Sequence, residues 1–222
     1  MAQINAGAAA YKPFTLRIYD TVVLGLSNKY IWRCPTKNVL LPFFQANTGH
    51  NHMDIGVGTG YFPASITKSH PKILQNITLV DLNPNTLTFA ANRINRPDTT
   101  CINTDVLRPF TIPAQPRFDS ISMILLLHCL SGTTKEKGRV FANVKEHLKD
   151  DGVLFGATVL GNGVRHSLVT RHILRLYNQK GIFHNHEDDE DGFMKSLEQE
   201  FGRVEGHVVG SVLLFRAWQP KR

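Results

Sequence analysis

One stretch constrains this chain more than any other. Met53 and Ile55 bracket an acid, Asp54, and three glycines follow at alternate positions, Gly56, Gly58 and Gly60. Glycine lacks the Cβ that would hold a ligand off the backbone, and it takes positive φ in a tight turn. The order differs from a dinucleotide-binding turn, which reads G-x-G-x-x-G and carries its acid only later. Here the acid comes first, placed to accept hydrogen bonds from a cationic or amine-bearing ligand. An ordinary glycine-rich loop between a strand and a helix is the plain alternative, and the residues downstream narrow it.

Ile77 to Val80 is a short β-rich run that ends in Asp81, 21 positions past Gly60. A carboxylate at the end of a second strand, about 20 residues beyond the glycine turn, suits a bidentate grip on two ribose hydroxyls. It would repel a 2′-phosphate. Cys101 to Val106 reads as a third strand carrying a second acid, Asp105, able to accept a hydrogen bond from an adenine amino group. Phe118 to His128 reads as a fourth, buried strand. A lone Asp at a strand end is more often a helix cap or turn residue. Acids at the ends of three successive strands are far more specific.

With these pieces in hand, the chain resembles the class I S-adenosylmethionine-dependent methyltransferases. The resemblance rests on D-I-G-V-G-T-G (54–60), L-V-D-L-N-P (79–84), N-T-D-V-L (103–107), F-D-S-I-S-M-I-L-L-L-H-C-L (118–130) and L-K-D-D-G-V-L-F-G-A-T-V-L (148–160), and covers roughly residues 50–160. The lead-in Tyr19-Asp20, Ser27-Asn28 and Trp32-Arg33-Cys34-Pro35 is similar to that of small members acting on small molecules, often in natural-product metabolism. The resemblance implies an α/β, Rossmann-like fold: a seven-stranded, mostly parallel sheet with a terminal antiparallel strand and an N-terminal helical cap. It implies S-adenosylmethionine as cofactor, with S-adenosylhomocysteine as product. Its ligands would be Asp54, Gly56, Gly58, Gly60, Asp81, Leu82, Asn83, Asp105, Val106 and Leu127, with Arg33 meeting the cofactor carboxylate. Leu82 and Val106 would pack on either side of the adenine. His128, at the tip of strand four, is the candidate general base for a hydroxyl acceptor; a His there also commonly contacts cofactor or backbone. Tyr11, Tyr19, Trp32 and His166 are candidate substrate contacts, with packing of the cap as the bland reading of the aromatics.

Composition bounds the rest. At 222 residues the chain reads as one domain, with a cap at 1–45, a cofactor core at 50–160 and a substrate-side segment at 161–222. It has no apolar run long enough to span a membrane and no secretory signal, and its three cysteines fit neither a disulfide framework nor a zinc pattern, so a reducing cytoplasm is expected. The formal charge of +7 is dispersed. The signature of amino-directed nucleic-acid methyltransferases is missing after strand four, where Leu127-His128-Cys129-Leu130 stands instead. The sequence therefore argues for a small-molecule partner over nucleic acid, and leaves the oligomeric state open. His184 and His186 in the acidic run 184–191 fall short of a ligand framework, so no metal is expected. The expected reaction is O-methylation of a small organic acceptor. The rivals are an RNA or protein methyltransferase, and a cofactor-binding protein that does not methylate.

Local patterns place the elements. Helices are expected within 12–33, over Leu40–Ala46, Tyr61–Ser69, from Pro84 to about Ile94 with Asn83 as N-cap, and over Thr133–Lys149, Val164–Gln179 and Phe193–Phe201. Val153–Leu160 reads as strand five after a turn at Asp150-Asp151-Gly152. Arg203–Val209 and Val212–Trp218, hinged at Gly210, read as an antiparallel pair.

Overall fold

The computed structural model describes residues 20–70, 74, 76–112 and 117–222. Tyr11, Tyr19 and the first part of the expected cap lie outside them. Seven strands form one sheet: β1 (Asn51–Ile55), β2 (Asn76–Asp81), β3 (Thr99–Asn103), β4 (Phe118–Ile124), β5 (Leu148–Val159), β6 (Phe201–Val209) and β7 (Val212–Pro220). Their order is β3-β2-β1-β4-β5-β7-β6. The first five run parallel, and β7 is antiparallel to both of its neighbours. Strand β1 is buried at all five positions, as a central strand of a parallel sheet covered on both faces should be.

The helices are α1 (Asp20–Ile31), α2 (Thr36–Leu40), α3 (Leu41–Asn47), α4 (Tyr61–Ser69), α5 (Pro84–Ile94), α6 (Thr134–Lys137), α7 (Arg139–Lys145), α8 (Leu168–Gln179) and α9 (Glu190–Glu200). Side chains of α3, α4, α5 and α8 join one apolar cluster, and those of α7 and α9 join a second. Alternation along the strands assigns one cluster to each face: Ile77 and Leu79 belong to the first, Val80 to the second. Asn83 caps α5 by accepting from the Asn85 N–H, with Pro84 at the first helical position.

Four expectations are corrected. The helix expected over Thr133–Lys149 is two helices parted at Gly138, where a Cβ would press on the Ser196 side chain of α9 at 2.8 Å. Strand β5 begins at Leu148, and the expected turn at Asp150-Asp151-Gly152 is an irregularity inside it, between the pairs Phe118–Leu148 and Ser120–Val153. Strand β4 ends at Ile124, so Leu127 and His128 sit in a short 3₁₀ turn beyond it. Strand β3 ends at Asn103, leaving Asp105 in the following turn. α1 is wound in wide turns, and the Trp32 N–H continues that pattern by reaching back to the Ser27 carbonyl at 2.9 Å.

Candidate active site

At the carboxyl end of β1 the chain turns through three left-handed glycines, Gly56 (φ 69°), Gly58 (φ 52°) and Gly60 (φ 68°). Gly60 starts α4, and a Cβ there would stand 2.9 Å from Ala90 of α5, so glycine is what lets the two helices close. A Cβ on Gly58 would meet nothing within 4 Å, so the space above that backbone is open to a ligand. The neighbouring strand ends supply the acids. The Asp81 carboxylate accepts the Asn83 N–H at 2.8 Å and is further stabilised by the N–H groups of Gly58, Val57 and Leu82. Burial nonetheless pushes its carboxyl up to about 6. Asp54 is only 4% exposed, and burial raises it to about 7. The Ser122 hydroxyl, which donates to its Oδ1, opposes that rise, and the charge of Asp81 adds to it. Asp105 accepts the Leu107 N–H at 3.0 Å and stands 3.6 Å from Arg108.

These groups meet at one edge of the sheet, where open α/β sheets hold their ligands. Leu82 is 37% exposed there; Val106 and Leu127 are buried in the core. Two residues that sequence reasoning missed shape this edge. Asn103 of β3 donates through Nδ2 to the carbonyls of Asp81 (2.9 Å) and Leu82 (2.8 Å), fixing the chain as it leaves β2. Leu125, just past β4, is held left-handed at φ 60°, with its N–H on the Ala157 carbonyl. A leucine in that conformation is unusual, and such outliers gather at functional sites. No local sequence signal marks it.

The cap is pinned to the glycine turn. Asp20 accepts from the Thr59 hydroxyl at 2.6 Å and pairs with Arg93 of α5 at 2.6 Å. Arg93 also donates to the Thr59 carbonyl and lies over the Tyr61 ring. Further along, Arg33 (φ 55°) donates from its guanidinium to the Arg165 carbonyl at 2.7 Å. That bond commits it to the loop after β5. Trp32 is 2% exposed, with its ring 5.8 Å from Phe183 and its carbonyl accepting the Ser211 N–H. The structure thus gives Trp32 a core position. His166 lies 3.2 Å from the Ser211 hydroxyl through Nδ1, and its Nε2 is buried without a hydrogen-bond partner.

His128 is 4% exposed and packs edge-on against Phe183 at 4.3 Å. Its Nδ1 accepts the Val159 N–H at 3.2 Å and lies 3.3 Å from the Thr158 hydroxyl. In the neutral ring the proton is therefore on Nε2. Burial, helped by Lys137, lowers the ring to about 3. A ring so held is a hydrogen-bond donor and a poor base at neutral pH. Behind it, part of the acidic run 184–191 turns inward, burying Asn185 and Asp188. Asp188 and Lys137 of α6 form a buried ion pair, 2% and 0% exposed, and the ammonium also donates to the His184 carbonyl. Burial pushes Asp188 up to about 6 against the pull of Lys137. Asn185 donates to the Val159 carbonyl and accepts from Asn178, while the His184 N–H donates to the His128 carbonyl. The loops at 132–136 and 184–188, with Asn178 and Gln179, line a cleft of about 490 Å³. Among the described residues, no cluster of three or more His, Cys, Asp or Glu could hold a metal.

Known proteins share this fold. A family model described as a methyltransferase domain matches residues 53–154. The chain is similar to the methyltransferase verB of Penicillium polonicum, at 45% identity over 98% of this chain and all of that one. It is also similar to the physcion biosynthesis cluster O-methyltransferase of Aspergillus chevalieri, at 46% identity over 97% of this chain and 96% of that one. In fold it resembles the N-methyltransferase NodS of Bradyrhizobium japonicum, solved with S-adenosylhomocysteine, with TM-score 0.62 at 16% identity, covering 94% of this chain and 98% of that one.

Proposed function

This chain belongs to the class I S-adenosylmethionine-dependent methyltransferases, and on that premise we propose that it methylates an oxygen of a small organic acceptor in secondary metabolism. The observation that carries this reading is the convergence of Asp54, Asp81 and Asp105 on one edge of the sheet, beside an open glycine turn and beneath a cap pinned to it. The whole-length likeness to a relative named as an O-methyltransferase of a biosynthesis cluster supports the acceptor class.

The residues present fit the cofactor. Asp81, already oriented by main-chain N–H groups, receives the ribose hydroxyls. Asp105 accepts from the adenine amino group, with Leu82 and Val106 on either side of the ring. Asp54 and the main chain of Gly56, Gly58 and Gly60 take the amino-acid end. Asn83 shapes the ribose side as the cap of α5. When bound, S-adenosylmethionine supplies the electrophilic methyl group. What remains for the protein is positioning and exclusion of water, which can supply much of the barrier reduction. The cap, closed by Asp20 on Thr59 and by Arg33 on the Arg165 carbonyl, excludes water from the acceptor side. His128 offers its Nε2–H to the acceptor oxygen and orients it. Because that ring is a poor base, the acceptor is a phenol or enol that enters as its anion, its proton already lost to solvent, and the Nε2–H stabilises that anion. The free, scattered cysteines fit a reducing cytoplasm.

The test incubates the purified protein with methyl-labelled S-adenosylmethionine and an extract of its own source, then separates small molecules, protein and nucleic acid. Label in phenolic or enolic small molecules is expected. Label confined to RNA or protein would overturn the reading, and no label in any fraction would favour a role that does not methylate.

A further inference from the structure

Beneath α3 and α4 the apolar packing on this face of the sheet is interrupted by a polar string. His52 and Asp54 of β1, and Ser120 and Ser122 of β4, sit side by side in register and are all buried. Phe44 of α3 and Phe155 of β5 pack on the His52 ring at 5.4 and 5.9 Å. Apolar side chains would fill this layer without any need for partners, and each polar group buried here must find one. They satisfy one another as a set, with the Ser120 main chain also stabilising the His52 ring. The Gly49 N–H donates to the Ser120 hydroxyl at 2.8 Å; Ser120 lies 2.7 Å from His52 Nδ1; His52 Nε2 lies 3.0 Å from Ser122; Ser122 donates to Asp54 Oδ1.

The sense of the string follows from its ends. A main-chain N–H can only donate, and an ionised carboxylate can only accept. Read from Gly49, every group gives one proton forward: Ser120 O–H to Nδ1, Nε2–H to Ser122, Ser122 O–H to Asp54. In the reversed sense Asp54 would be protonated and His52 would carry its proton on Nδ1, toward Ser120, whose main chain also favours a ring proton; the ionised form of Asp54 is what selects the forward sense.

We infer that His52, acting through Ser122, is a positioning residue for cofactor binding: the string delivers a hydrogen bond to Asp54 and holds its carboxylate charged and aimed at the cofactor's ammonium. This rests on the reading that Asp54 meets the amino-acid end of the cofactor. The groups that act on Asp54 are few. Asp81, at the end of β2, opposes its ionisation; Ser122 of β4 favours it; His52 of β1 is neutral, held at about 3 by burial; and Phe44 and Phe155 bring only apolar rings. The carboxylate has no cationic partner among them, which leaves that place to the ligand.

Titration of S-adenosylhomocysteine by calorimetry from pH 6 to 9 tests this in wild type, Ser122→Ala, His52→Gln and Asp54→Asn. With Asp54 titrating at about 7, wild-type affinity should be about tenfold weaker at pH 6 than at pH 8. Ser122→Ala and His52→Gln should move that midpoint up by about one pH unit, making binding about fivefold weaker at pH 7 yet within about twofold of wild type at pH 9. A merely structural role would weaken binding equally at every pH. Asp54→Asn with wild-type affinity at pH 8 would overturn the assignment of Asp54, and the inference with it. Asp54→Asn crippled while the other two variants keep the wild-type profile would overturn the inference alone. Should the variants fail to fold, imidazole ¹⁵N NMR of the wild type decides: His52 must carry its proton on Nε2 at pH 8, and a proton on Nδ1 refutes the string.

Discussion

The cofactor side and the acceptor side of this molecule share one sheet edge and are held together in different ways. On the cofactor side, two of the three acids are oriented by the chain just beyond them, while Asp54 is reached from Ser122 of the next strand. Asp81 accepts from Asn83 and Asp105 from Leu107, both two residues on, while the glycine turn closes on itself through the Gly60 N–H and the Val57 carbonyl. On the acceptor side the ties are distant in sequence: Arg33 to Arg165, Thr170 to Ile31, Lys137 to Asp188. Binding geometry can therefore be lost on the first side with little damage to the fold, whereas the second side should lose fold and geometry together.

The hardest blow to that comparison would be struck at the buried pair. Lys137→Met leaves Asp188 buried and unpaired, and should cost about 3–5 kcal/mol in urea denaturation. Adding Asp188→Leu should recover most of it, and a harmless Lys137→Met would mean the acceptor side is not built around this pair. Asp81→Asn probes the opposite case. Loss of charge-assisted hydrogen bonds worth about 2 kcal/mol should weaken S-adenosylhomocysteine binding about 30-fold. Stability should not fall, because the folded carboxyl sits at about 6, above its unfolded value. Such a group favours the fold when protonated, and its ionisation on raising the pH through that value works against it.

His128 sharpens the contrast through pH. Its folded value of about 3 lies below the unfolded 6.5, so the unfolded chain binds more protons between these limits. The wild type therefore loses stability from this group as pH falls below 6.5. His128→Gln removes that term: its deficit against wild type in urea denaturation should shrink by about 2 kcal/mol between pH 7 and pH 5. A deficit independent of pH would show that the ring is not buried in its neutral form. The smallest effect belongs to the latch between the two sides. Asp20 and Arg93 are partly exposed, so Asp20→Asn should cost at most about 1 kcal/mol of stability. It should still weaken cofactor binding about threefold in calorimetry by loosening Thr59, an effect of the size of one modest hydrogen bond.

The same contrast explains what could be read from the sequence. The glycine turn, Asp54, Asp81 and the Asn83-Pro84 cap are local patterns, and each lies where its spacing placed it, while Asp105 falls in the turn past β3. The antiparallel hairpin of β6 and β7 was legible from its alternation and Gly210. The break at Gly138 was not, because it answers to Ser196, far along the chain. Lys137 looked like any lysine of an exposed helix turn and Asp188 like one acid in a charged loop; only the fold brings them together. Asp20 offered no hint of Arg93, and Arg33 none of the Arg165 carbonyl. One missed signal was local: Thr133 and Glu136 spell a capping box, which the structure forms at the start of α6. Serines at alternate positions of β4 opposite His52 and Asp54 could have been noticed only once the register of β1 against β4 was known.

A crystal structure with S-adenosylhomocysteine tests the central claim most directly. The account predicts the ribose hydroxyls on Asp81, the adenine between Leu82 and Val106 with its amino group on Asp105, and the ammonium against Asp54 beside Gly58. Density for the ligand elsewhere, for instance in the cleft lined by His184 and Glu136, would contradict it.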